Sequence, residues 1–383
     1  MDQPAVDHSR IPIAPLATLG WDPGWAAAFL PFDAAGLRPA RVVAAHRDAW
    51  VLAHPHGDGD AVISGRLRHE AAGPGDLPAV GDWVAVTGAH AADTTAGPNV
   101  IQAVLPRRTV FVRNAGEERR SGARLAAEQV LAANVDVAFV VAGLDGDFNL
   151  RRLERYLAVA WSGGAVPVIV LNKADVATDV EGFRVAAEAV GPGVEVLAVS
   201  ALTGAGIEEL AAAHLGPGRT AVVLGSSGVG KSTLVNALLG TERQRTGAVR
   251  EDDSRGRHTT THRELVRLPG GALLIDTPGI RSLGVGGASE GIEPAFADIA
   301  ELALGCRFSD CRHDGEPSCA VAAALADGRL SAERLASHRK LVREAAHVAR
   351  ANDPLLRAEE RRKWKAIHVS VNQHMKRKYG TDR

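Results

Sequence analysis

The residues Gly225, Ser226, Ser227, Gly228, Val229, Gly230, Lys231 and Ser232 match GxxxxGK[ST], with an apolar run from Ala221 to Leu224 before them and a helical pattern from Thr233 to Leu239 after them. That context suits phosphate chemistry. Glycines let backbone amides curl around a β-phosphate, the helix N-terminus adds a positive dipole, Lys231 bridges the β- and γ-phosphates, and Ser232 ligates Mg²⁺. Asp276, Thr277, Pro278 and Gly279 close another apolar run, Ala272 to Ile275. There Asp276 would hold Mg²⁺ through water, and the Gly279 amide would sense the γ-phosphate. The base readers lie elsewhere. Asn172, Lys173, Ala174 and Asp175 follow the run Val166 to Leu171. Asp175 could accept from guanine N1–H and its exocyclic amine, a pairing that adenine does not offer. Lys173 would lie along the base and Asn172 would orient the loop. Ser200, Ala201 and Leu202, after Val194 to Val199, would present a backbone amide to guanine O6. The base motif precedes the phosphate loop by about fifty residues, the reverse of the usual order, so the sequence predicts a circularly permuted G domain.

A polar stretch from Gly240 to Leu265 contains Arg255, Gly256, Arg257, His258, Thr259, Thr260, Thr261 and His262. It occupies the place of a switch ordered by Mg²⁺ and γ-phosphate. Thr261, or else Thr260, would close the metal shell. Ile280 follows Gly279, where many GTPases carry a water-orienting Gln. His258, flanked by Arg255 and Arg257, is the in-chain candidate to position water, the alternative being a solvated switch histidine.

Cys306, Cys311, His313 and Cys319 have four, one and five residues between them. Three thiolates and an imidazole suit tetrahedral Zn²⁺, and four protein ligands leave no open position, so the site would be structural. In so short a segment, metal binding would supply folding free energy on the order of 10 kcal/mol.

The elements that must position these groups follow from periodicity. Residues 1–35 are rich in Pro, Gly and Ala, with Trp21, Trp25, Phe29 and Phe32 suggesting a short helix that packs on something. From 36 to 112, short runs at Arg41 to Ala45, Trp50 to Ala53, Ala61 to Leu67, Asp82 to Thr87 and Val100 to Leu105 are separated by turn residues. Five strands predict an oligonucleotide-binding (OB) type barrel, with an SH3-like barrel as the alternative. From 118 to 287 the runs alternate with helical segments, adding Val135 to Val141 and Thr220 to Leu224, as in a parallel sheet covered on both faces. Residues 288–370 read as a helical zinc-binding domain and 371–383 as a basic tail.

With 46% apolar side chains in 383 residues, the chain is neither disordered nor fibrous. It has no run of about 18 apolar residues and no basic-then-apolar leader, so a cytoplasmic location without membrane engagement is expected. The three cysteines fall within fourteen residues, an argument for metal ligation over disulfides. A net charge of −1 hides an asymmetry: Arg334 to Arg383 holds fourteen Lys and Arg against five Asp and Glu. That end predicts an anionic partner.

Taken together, the motif order, the barrel before it and the Cys-His cluster after it resemble the bacterial ribosome-small-subunit-dependent GTPase A family. Gly81, Asp82, Trp83 and Val84, the run Glu128 to Asp136, and Arg257 to His262 strengthen the resemblance, which covers residues from about 36 to 370. It implies an OB barrel, a permuted G domain, a zinc-binding helical domain, and a monomeric factor that binds maturing 30S subunits and 16S rRNA. It also implies slow GTP hydrolysis alone and faster hydrolysis on the subunit, leaving GDP. A zinc-containing RNA-binding protein with a structural or regulatory nucleotide site is the rival reading, as is a GTPase serving another cargo; intact Lys231, Ser232 and Asp276 favour hydrolysis.

Overall fold

The computed structural model describes residues 16–46, 48–54, 57–87, 98–114, 128–240, 263–276 and 289–352. Helix α1 (Pro23–Ala34) starts at Asp22, whose carboxylate accepts the Trp25 amide at 2.9 Å, with Pro23 at the first helical position. Strands β1 (Arg38–Ala45), β2 (Trp50–His54) and β3 (Gly57–Ile63) form an antiparallel meander. The apolar run expected to continue as strand to Leu67 stops at Ile63. Ser64 caps the short helix α2 (Gly65–Glu70) there, its hydroxyl accepting the Leu67 amide at 3.1 Å. Strands β4 (Trp83–Thr87) and β5 (Asn99–Val104) then complete a barrel. β5 runs parallel to β3, and β4 pairs antiparallel with both β5 and β1, which closes the circle. The parallel β3–β5 pair and the β1–β4 closure are those of the OB type and set it apart from the SH3-like alternative.

A hairpin of β6 (Val110–Asn114) and β7 (Glu128–Ala133) leads into a second sheet. In chain order it comprises β8 (Val137–Gly143), α3 (Leu150–Ser162), β9 (Val166–Asn172), α4 (Val180–Val190), β10 (Glu195–Ala198), α5 (Ile207–His214), β11 (Thr220–Leu224), α6 (Lys231–Leu239), β12 (Arg263–Arg267) and β13 (Leu273–Asp276). The spatial order is β10-β9-β8-β11-β13-β12, parallel except for β12. Runs such as Val137 to Gly143 are apolar throughout because both faces of these strands are covered. Helices α7 (Ser289–Ala295), α8 (Ala297–Ala303), α9 (Ala320–Ala326) and α10 (Ala332–Asn352) follow.

The two sheets are continuous: β12 also pairs with β1, matching Glu264 to Ala44 and Arg263 to Ala45. Around that seam the N-terminal segment finds its role. Trp21 meets Trp83 edge-on at 4.6 Å, and Trp25 lies 6.3 Å from the same ring. Asp22 pairs with Arg108, whose guanidinium lies 4.1 Å over Trp25. Beneath them Arg41 is fully buried. It donates to Gly81 O at 3.2 Å, Asn134 O at 3.1 Å, Thr220 Oγ1 at 2.9 Å and Leu19 O, tying the N-terminal segment, the barrel and β11 together. Gly81 sits at φ +93°, and a Cβ there would fall 2.1 Å from Ala133 O. No other residue fits. Asp82, also buried, accepts Arg107 Nη2 at 2.7 Å and the Ala79 amide at 2.8 Å. Within the Gly-Asp-Trp-Val run, Gly81 and Trp83 thus meet the segments flanking the barrel, while Asp82 and Val84 hold the barrel itself. One apolar cluster runs through the whole assembly, from Leu16 and Trp21 to Leu335 and Leu341.

Candidate functional site

The phosphate loop opens where β11 ends and closes into α6, at the carboxyl edge of the sheet where open α/β folds place their ligands. Its glycines are dictated by neighbours. Gly225 has φ +146° with room for no Cβ beside Val141 O (2.5 Å), and Gly230 has φ +91° with Asn172 Nδ2 2.3 Å from where its Cβ would be. Lys231 is buried, and its ammonium donates to Ser226 O inside the loop. Ser232 and Thr233 follow in the first turn of α6, half-buried, while Ser227 and Gly228 face solvent.

Asn172 is the mechanical link between the two loops. Its Nδ2 donates to Val229 O at 2.8 Å, and its Oδ1 accepts the Ala201 amide at 3.0 Å. Both are buried side-chain contacts, so phosphate loop and base loops hold one spacing. Lys173 has a left-handed backbone at φ +67°, and its ammonium donates to Gly228 O at 2.7 Å and to Asp145. Asp175 is exposed, and the buried Ser200 hydroxyl donates to its Oδ1 at 2.5 Å, aiming the carboxylate. Leu202, 80% exposed, stands at the rim. Asp276 ends β13 one residue beyond the Val222–Ile275 pair, beside the strand that opens the phosphate loop. The structure therefore brings Asn172, Lys173, Asp175, Ser200, Ala201, the phosphate loop and Asp276 to one edge. His258, Thr260, Thr261, Thr277, Pro278 and Gly279 lie outside the described residues.

Sequence reasoning passed over the turn after β8. Asp145 partners Lys173, and Asp147 accepts the Ser226 hydroxyl at 3.2 Å while pairing with Arg152 at 2.5 Å. The available signal was an Asp-Gly-Asp turn at the carboxyl end of the strand adjacent to β11.

At the second site the ligand atoms of Cys306, Cys311, His313 and Cys319 all lie within 4.8 Å of one another. Cys306 Sγ is 3.6 Å from His313 Nδ1 and 3.9 Å from Cys319 Sγ, and Cys319 Sγ is 3.5 Å from the same nitrogen. A tetrahedron with metal–sulfur bonds of about 2.3 Å has edges of about 3.8 Å, so the donor set fits a metal ion closely. The turn is shaped for it: His313 and Ser318 both take left-handed backbones, at φ +61° and +60°. Arg339, on α10, donates to His313 O and ties the cluster to that helix. Among the described residues no helix is long and apolar enough to cross a membrane.

Several known proteins resemble this chain in sequence and fold. The RsgA GTPase family model matches residues 104–286. The chain is 50% identical over 359 residues to the small ribosomal subunit biogenesis GTPase RsgA of Opitutus terrae, covering 92% of this chain and 96% of that protein. It is 43% identical over 369 residues to the protein of that name from Streptomyces avermitilis, covering 96% and 95%. Among solved structures, YjeQ from Thermotoga maritima superposes with a TM-score of 0.59 at 25% identity, covering 81% of this chain and 99% of that one. YloQ, described as a circularly permuted GTPase, shares the fold with a TM-score of 0.56 at 21% identity, over 81% of this chain and 96% of that one.

Proposed function

The chain belongs to the RsgA family of small ribosomal subunit biogenesis GTPases, and from that premise we propose that it binds the small ribosomal subunit late in maturation, hydrolyses GTP there and leaves with GDP. The observation that carries the reading is Asn172: one buried side chain fixes the phosphate loop against the base loop, although the two motifs occur in inverted order in the chain. In this reading Asp175 reads guanine, held by Ser200; Lys173 lies along the base; and the Ala201 amide, with Leu202 at the rim, meets O6. The amides from Ser226 to Thr233 cradle the phosphates. Lys231 exchanges its contact with Ser226 O for β- and γ-oxygens, and stabilises charge as water attacks in line. Ser232, Asp276 and Thr261, or Thr260, hold Mg²⁺, which when bound neutralises charge on the phosphate oxygens. Gly279 reports the γ-phosphate to the helices that follow, and His258 positions water.

Cys306, Cys311, His313 and Cys319 hold a structural Zn²⁺ that cross-links a segment with few apolar contacts of its own. The basic end of the chain contacts 16S rRNA phosphates, the barrel contacts RNA, and the protein works as a cytoplasmic monomer away from membranes. GTP turnover measured with and without purified 30S subunits tests the core of the reading. Turnover stimulated by the subunit is expected; turnover absent under both conditions would leave a zinc-containing RNA-binding protein with a regulatory nucleotide site.

A further inference from the structure

The turn after β8 does work that the motifs do not account for. β8 ends at Gly143, paired with Asn172, and the Leu144 amide donates to Asn172 O at 2.9 Å, so the turn is built directly on the base-reading loop. Gly143 has no Cβ, and one would stand 2.8 Å from Asp145 Oδ1, so the glycine leaves the space that the carboxylate occupies. From there Asp145 receives the Lys173 ammonium, whose remaining named partner is Gly228 O of the phosphate loop at 2.7 Å. Lys173 is itself held in a left-handed backbone conformation at φ +67°, an arrangement that persists only where the surroundings impose it. A lysine has a flexible four-carbon stem and makes no bidentate fork, so its ammonium is placed by whatever anion and carbonyl receive it.

We propose that Asp145 is a positioning residue for nucleotide binding: it fixes Lys173 across the gap between base loop and phosphate loop before the nucleotide arrives, and so sets affinity for guanine nucleotides irrespective of the γ-phosphate. The proposal rests on the nucleotide-site reading above. Prepaid ordering of the lysine is recovered as affinity, and because its ammonium meets Asp145 and Gly228 O and no group assigned to the γ-phosphate, GDP and GTP benefit equally. Asp147 serves the neighbouring loop through Ser226, so the two carboxylates of this turn divide the site between them.

The test uses the full chain at one salt concentration, with GDP and a nonhydrolysable GTP analogue as probes. Asp145→Asn should raise both dissociation constants by the same factor, roughly three- to tenfold, with KM for GTP rising in step and kcat held. Asp145→Glu should recover most of the loss. In a Lys173→Met background, Asp145→Asn should cost nothing further, because the partner it acts through is gone. Parental affinity in Asp145→Asn overturns the proposal. So does an equal loss in the Lys173→Met background, a change in the GDP-to-GTP ratio, or a loss that Asp145→Glu leaves in place alongside a lowered melting temperature. If the parent chain binds neither probe, the nucleotide-site reading itself fails, an outcome distinct from all of these.

Discussion

Arg334 joins the C-terminal helices to the G domain through a buried ion pair, and its removal has a calculable cost. It projects from the first turn of α10 to donate to Glu154 of α3 at 2.8 Å and Val190 O at 3.2 Å. It also donates to Ala295 O at 3.0 Å and to Asp298 at 2.7 and 2.8 Å, with its guanidinium 4.6 Å over Phe296. Side-chain exposure is 7% for Arg334 and 3% for Glu154, so this pair is screened by little water. Among the described residues Glu154 Oε2 has no hydrogen-bond partner, which makes Arg334 the group that justifies burying the carboxylate. Arg334→Met should therefore destabilise by about 3–5 kcal/mol, the usual cost of stranding one buried partner. At roughly 2 °C per kcal/mol for a chain of this size, the melting temperature falls by about 6–10 °C. Arg334→Met with Glu154→Leu removes both charges in similar volume and should recover at least about 2 kcal/mol. Asp298 adds a pH signature. Burial pushes its carboxyl up, but the hydrogen bonds and charge of Arg334 outweigh that and hold it below the ordinary range. A carboxyl lowered in the folded state contributes stability above its unfolded pKa of about 3.9 and loses it as the pH falls through the folded value. The gap between parent and Arg334→Met should accordingly be full at neutral pH and narrow below about pH 4. Thermal melts at several pH values follow all of this. A single variant that melts with the parent, or a double variant as unstable as the two singles summed, would refute the coupling.

The remaining expectations concern nucleotide and metal. Asp175→Asn should weaken GTP binding at least about tenfold while improving xanthosine triphosphate, whose extra carbonyl accepts from the new amide; equal GTP affinity in variant and parent would sink the base assignment. His258→Ala should lower subunit-stimulated turnover by roughly 10²-fold with nucleotide affinity retained, and an unchanged stimulated rate would move water positioning onto the ribosome. Binding to 30S subunits should be tighter with a nonhydrolysable GTP analogue than with GDP by a factor between about 5 and 150. Cys311→Ala should remove most of that difference while nucleotide binding persists; a variant that keeps the full ratio would make the Cys-His segment a passive anchor.

How much of this was legible in the sequence depends on whether a residue's reason is local. The phosphate loop could be read because amides, lysine and hydroxyl must recur at fixed spacing, and the Cys-His cluster because soft ligands gathered within fourteen residues have few other uses. Arg41 could not be read. It opens the apolar run Val42 to Ala45, and its acceptors lie 22, 40, 93 and 179 residues away, beyond any periodicity. The same holds for Gly81, singled out only through family resemblance, whose reason is the carbonyl of Ala133. Strand β12 was missed because Arg263 to Arg267 is short, charged at three of its five positions and only partly buried. Yet β12 is the element through which the barrel and the nucleotide site meet. Its Glu264 faces Ala44 of the barrel on one side and Asp276 on the other. A displacement of Asp276 along its strand must therefore either break the Glu264 pairing or carry the barrel edge with it. Arg41 resists the second course, since it binds the barrel at Gly81 and β11 at Thr220 just before the phosphate loop. The seam is thus stiff where β11 enters it. Motion at the Asp276 end can reach the barrel at the β1–β12 pairs, which begin two residues after Thr261, and at Ile275, whose Cδ1 lies beside Gly81.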